Sequence, residues 1–168
     1  EFSTLVPEGN FLAEQLQMVG KTIAARDTLG FSRQIFYVQL GGWDHHDELL
    51  INHAGNLGTV NEALKYFYDL LQELNVFNEV TTFNISDFSR TLTSNGNGTD
   101  HAWGGNTFAM GGSVLGRDMY GEYPTLALGS QLDLYDGVLI PTMAADLYMA
   151  ELALWFGVPY SDLSTIFP

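Results

Sequence analysis

Three stretches of the chain carry side chains whose types and spacing suit chemistry. Leu40-Gly-Gly-Trp-Asp-His-His-Asp-Glu48 ends an apolar run in two glycines and a burst of carboxylates and imidazoles. Ser86-Asp-Phe-Ser-Arg-Thr91 follows a second apolar run, and Gly98-Thr-Asp-His-Ala-Trp-Gly-Gly105 adds another imidazole. Asp44 and His46 stand two apart, so an extended backbone turns them the same way and turns His45 and Asp47 elsewhere. A carboxylate and an imidazole converging there are ligands for zinc, manganese or iron, and His101 would complete a three-ligand set. The plain alternative is an exposed, hydrogen-bonded polar turn. The fork of Arg90 suits a phosphate, sulfate or carboxylate; its alternative is an internal ion pair with Asp87. Trp43 and Trp103 neighbour candidate ligands and either wall a pocket or simply pack. His53 reads as a surface residue near the start of a helix.

The elements that must position these residues follow from apolar spacing. Asn10 reads as the N-cap of a helix carrying Leu12, Leu16, Val19 and Ile23 and stopped by Gly30. Ile35-Phe-Tyr-Val38 lies within a strand from Arg33 to Leu40 that reads as buried on both faces, as parallel strands are. Gly55 to Asn75 repeats Leu57, Val60, Leu64, Phe67, Leu71 and Leu74 at intervals of three and four, a helix. Val80 to Ile85 then closes a β-α-β unit with a right-handed crossover. In such sheets ligands bind at the carboxyl ends of strands, where Asp44 and Asp87 stand. Thr91 to Gly105 reads as a polar loop with a functional or mobile role, Asn106 to Leu115 as a strand interrupted by glycines, and Gly116 to Asp136 as irregular. Pro141-Thr142 precedes a helix that runs to Phe156 and is ended by Gly157 and Pro159. The fold class expected is α/β, with helices packed on a mainly parallel sheet, in one domain spanning 1–168 or a half-domain of a longer protein.

Composition narrows the function classes. A chain of 168 residues with 46% hydrophobic and 13% aromatic content can bury one core. Twenty acids against six bases give a formal charge of −14, which argues against nucleic acid or anionic membrane as the main partner. The chain lacks cysteine, so thiolate metal sites and disulfides are excluded. No apolar run reaches the ~18 residues of a membrane span. The start at Glu1-Phe-Ser-Thr reads as that of a processed product or a piece of something longer.

Gly41-Gly-Trp-Asp-His-His46, Ser86-Asp-Phe-Ser-Arg-Thr-Leu-Thr-Ser-Asn-Gly96, Thr99-Asp-His-Ala-Trp-Gly104 and Leu139-Ile-Pro-Thr142 with Trp155-Phe-Gly-Val158 together resemble the bacterial "domain of unknown function 1501" family. Ala24-Ala-Arg-Asp-Thr-Leu-Gly30 and Asp162-Leu-Ser-Thr-Ile-Phe-Pro168 look like it too. The resemblance covers essentially the whole chain, and it relates the chain to the alkaline phosphatase and sulfatase superfamily. It implies an exported, periplasmic or extracellular protein of which this chain is the C-terminal half, with the hydroxyl nucleophile and a further metal-binding aspartate upstream of Glu1. By that analogy Asp44, His46 and His101 hold one metal ion, with zinc, manganese or calcium as candidates. Asp87 resembles the aspartate of the superfamily's second-metal Asp-His pair. The chain departs from the pattern with Phe88 in place of that histidine, His45 in place of threonine and Ser89 in place of glycine.

The function expected is therefore that of a metal- and anion-binding portion of a phosphoric or sulfuric ester hydrolase, with Arg90 stabilising developing charge and this fragment inactive alone. The rival is a non-catalytic structural or assembly-forming extracellular protein on a degenerate hydrolase fold. The partners expected are the missing half or further copies in an oligomer or filament, and a small anion such as phosphate or sulfate.

Overall fold

The computed structural model describes all 168 residues. Its helices are α1 (Phe11–Ala24), α2 (Arg26–Leu29), α3 (Leu49–Glu73), α4 (Ala145–Phe156) and α5 (Leu163–Ile166). Its strands are β1 (Thr81–Phe83), β2 (Ser89–Ser94), β3 (Thr99–Ala102) and β4 (Ala109–Gly111). The chain forms two compact units. One comprises Glu1–Asp87, Thr93–Asp100 and Asn106–Asp118, and the other Phe88–Leu92, His101–Gly105 and Met119–Pro168.

The core of the first unit is a helix pair. Leu12, Ala13, Leu16 and Ile23 of α1 pack with Ala63, Tyr66, Phe67, Leu70 and Leu71 of α3 and with Val76. Gly20 lets the helices approach, because a Cβ there would lie 2.5 Å from Leu70 Cδ2. Asn10 is the N-cap, as its position predicts: its Oδ1 accepts from Ala13 N at 3.0 Å. Its Nδ2 also donates to Thr59 O and Glu62 Oε2, both at 3.0 Å, which fixes α1 on α3. At the far end of α3, Asn75 takes a left-handed conformation (φ 56°), and Val76 N donates to Leu71 O at 3.0 Å. That closure turns Val76 into the core.

The helix α3 begins at Leu49 rather than Gly55, and its first turns leave Leu50 and Ile51 exposed. The mixed α/β class stands, but the sheets differ from the parallel arrangement expected. They are two antiparallel pairs, β1–β4 and β2–β3. Thr81 pairs with Gly111, Thr82 with Met110 and Phe83 with Ala109. No β-α-β crossover forms. The run from Arg33 to Leu40 joins no sheet. Val38 and Leu40 reach the core, whereas Ile35 and Tyr37 are 78% and 74% exposed. A side chain takes the place of a neighbouring strand: Gln39 N donates to Gln15 Oε1 at 3.0 Å, and Gln15 Nε2 donates to Gln39 O at 2.9 Å. Successive apolar residues signal burial only when a partner covers both faces, and here one face is bare.

The segment expected as a loop, Thr91 to Gly105, instead builds a hairpin from β2 and β3. Asn95 closes its turn, accepting from Gly98 N at 2.9 Å through Oδ1 while Asn95 N donates to Gly98 O at 3.1 Å. Gly96 takes φ 121°, open only to glycine without strain. In the second unit, Leu92 N donates to Gly137 O and Gly104 N to Leu139 O. A tight turn at Asp136-Gly137, both at positive φ, brings Val138 N to Tyr135 O at 2.9 Å. The helix α4 ends as expected, with Gly157 at φ 104° and Val158 N donating to Ala153 O. None of its side chains is buried.

Candidate metal centre

The loop that carries Asp44 and His46 is pinned at its start. Asn56 Nδ2 of α3 donates to Gly42 O at 2.6 Å, and Trp43 Nε1 donates to Leu40 O at 2.9 Å. The two adjacent histidines then diverge. His45 is buried at 4% exposure, edge-on to Trp43 at 6.1 Å and to His53 at 5.4 Å between centroids. His53 is therefore half-buried in an aromatic cluster rather than a surface residue, because the early start of α3 places it on the second turn. His46 is left facing outward.

The hairpin tip clamps this loop from the other side. Thr99 N donates to His45 O at 3.1 Å, Leu49 N to Asn97 O at 3.2 Å and Asn95 Nδ2 to His46 O at 3.1 Å. Asn97 also donates to the Asp47 carboxylate. Gly98 is buried against the His45–His46 peptide, and a Cβ there would collide with His46 C and His45 O. Only glycine permits that approach.

So held, the His46 imidazole lies between two carboxylates. Nε2 is 3.0 Å from Asp44 Oδ1, and Nδ1 is 3.0 Å from Asp100 Oδ1. A neutral imidazole has one N–H and one lone pair. It can donate to one carboxylate only, and its lone pair then faces the other. That second contact is favourable when positive charge lies in it, as a proton or as a metal ion. The next residue on β3, His101, completes the group: one donor atom each from Asp44, His46 and His101 lie within 4.8 Å of one another.

The donor set fits a transition metal. Two nitrogens and a carboxylate oxygen suit zinc or manganese, whereas calcium takes oxygen ligands. Bonds of ~2.1 Å require donors within about 4.2 Å of each other. The Asp44–His46 pair at 3.0 Å meets this.

The other expected residues are placed differently. Asp87 is exposed and stands outside the group. Ion pairs form between His46 and Asp44, His46 and Asp100, and Lys65 and Asp69. The guanidinium carbon of Arg90 sits 5.7 Å from the centroid of the Phe88 ring, within cation–π range. Phe88 also stacks on His101. Trp43 packs in the aromatic cluster, and Trp103 is 65% exposed. Sequence reading missed Asp100, Asn95 and Phe88 as contributors.

Taken together, this is an α/β protein with an exposed carboxylate–imidazole group capable of holding a metal. The chain belongs to the family described as "Protein of unknown function (DUF1501)", which it matches over residues 8–156. No curated protein and no solved structure matches it.

Proposed function

We propose that Asp44, His46 and His101 bind a divalent cation, zinc or manganese, in an exported protein related to the alkaline phosphatases and sulfatases. The observation that carries this reading is the His46 imidazole with a carboxylate 3.0 Å from each nitrogen. The formal charge of −14 favours cation uptake in the same sense. A bound ion supplies Lewis acidity toward a phosphoryl or sulfuryl oxygen. The chain's own residues do the rest: Asp44, His46 and His101 hold the ion, and Arg90 draws the anionic ester with its planar fork. Asp87 is a further carboxylate for a cation on resemblance alone, as is the placing of this chain in the C-terminal half of a larger, mainly parallel α/β domain.

The second reading, a non-catalytic assembly protein, rests on Phe88, which stands where the superfamily's second-metal histidine would be. It also rests on α4, whose apolar side chains lie unburied. One experiment separates the two. The protein in the form its gene encodes is loaded with zinc or manganese, stripped of excess ion, and assayed on aryl phosphate and aryl sulfate esters. About one equivalent of bound ion with ester turnover that His46→Ala abolishes supports the hydrolase. Bound ion without turnover supports the assembly protein, and no bound ion rejects the metal centre.

A further inference from the structure

Asp100 is not one of the proposed ligands, yet its carboxylate meets both the His46 ring and the Asn95 amide. Asp100 Oδ1 lies 3.0 Å from His46 Nδ1. Asn95 Nδ2 donates to the same oxygen at 3.3 Å and to His46 O at 3.1 Å. Asn95 is itself fixed, because its Oδ1 accepts from Gly98 N at 2.9 Å. One amide thus ties the His46 backbone to the carboxylate that faces the His46 ring.

We infer that Asp100 is a positioning residue, which Asn95 holds in place to keep the His46 proton on Nδ1 and the lone pair on Nε2, toward Asp44. Each ring nitrogen faces a carboxylate at 3.0 Å, and a carboxylate only accepts, so the neutral ring gives its single N–H to one of the two. The Asn95 amide that ties Asp100 to the His46 backbone favours the Asp100 side and hence the proton on Nδ1. A metal-bound histidine that gives its other N–H to a carboxylate has a fixed tautomer and a more basic ligand nitrogen. The inference rests on the proposed metal centre for its purpose but not for its test.

The tautomer is read from the 15N shifts of the His46 ring in the labelled parent, at a pH where the same spectra show the imidazole neutral. Expected is the Nδ1–H form, and an Nε2–H form overturns the inference. In Asp100→Asn, the side-chain amide can donate to Nδ1 and drive the proton to Nε2, the nitrogen that must bind. Zinc affinity by calorimetry should then fall about 10–100-fold. An unchanged tautomer together with zinc affinity within about twofold of the parent also overturns it. The parent tautomer needs no variant, so a poorly folding Asp100→Asn leaves the inference open to refutation. If the parent takes up no zinc, the metal centre fails, and the tautomer still decides the role of Asp100.

Discussion

The His101 ring lies parallel to that of Phe88, with 4.0 Å between centroids and 5° between planes. Phe88 is thus in contact with a candidate ligand. A parallel aromatic contact is worth about 0.5–1.5 kcal/mol. Here it restricts the rotation of a ring that is otherwise exposed. Phe88→Ala should therefore weaken zinc binding by about 2–10-fold without abolishing it, as read by calorimetric titration. Unchanged affinity would mean that the stack does not orient His101.

Gly98 gives a sharper steric test. Its missing Cβ makes room for the His45–His46 peptide. Gly98→Ala must push the hairpin tip away from that peptide, at a cost of about 1–3 kcal/mol for an overpacked site. Thermal melting should fall by several degrees, and the Thr99 amide should lose hydrogen-exchange protection. A variant that melts with the parent would show that the clamp on His46 is slack.

Glu73, the last residue of α3, holds the N-terminal segment. Thr4 Oγ1 donates to its carboxylate at 2.6 Å, Ser3 N at 2.7 Å and Thr4 N at 2.8 Å. The Thr4 hydroxyl first, then the two backbone amides, lower its pKa from 4.5 to about 2. A carboxylate with a depressed folded-state pKa stabilises fully above its unfolded value, and that contribution is lost as pH falls toward the folded value. The tether should hold above pH 4.5 and release between there and about 2. Exchange of the Ser3 and Thr4 amides against pH reports this, and Glu73→Gln should remove the pH dependence.

Arg90 offers its fork to an anion in the proposed reading. Arg90→Lys keeps the charge and loses the planar pair of donors. The loss of one charge-assisted hydrogen bond, about 1.5 kcal/mol, should weaken sulfate or phosphate binding roughly tenfold. Equal binding by the lysine variant would assign the fork to structure, on the Phe88 ring.

How much of this was legible in the sequence differs by element. The α1–α3 core could be read because Leu12, Leu16 and Ile23, with Phe67 and Leu71, keep helical spacing, and that spacing reports burial directly. The cap at Asn10 and the stop at Gly157 follow from local backbone chemistry. The sheet could not be read this way. Ile35-Phe-Tyr-Val38 looks the same whether a neighbouring strand covers it or, as here, only the Gln15 side chain does. The β2–β3 hairpin was hidden because Ser94-Asn-Gly-Asn-Gly98 resembles any polar loop until its own hydrogen bonds are counted. Asp44, His46 and His101 could be nominated by type. Asp100 could not, because its role depends on a tertiary contact with His46, 54 residues earlier in the chain.

The most direct test of the central claim is a calorimetric titration of zinc into the metal-free protein, repeated with Asp44→Ala, His46→Ala and His101→Ala. The account predicts binding at one ion per chain in the parent. It predicts a loss of at least about tenfold in affinity for each variant, as expected when a coordinating bond is removed. A parent that takes up no zinc, or a His46→Ala variant that binds as tightly as the parent, would contradict it.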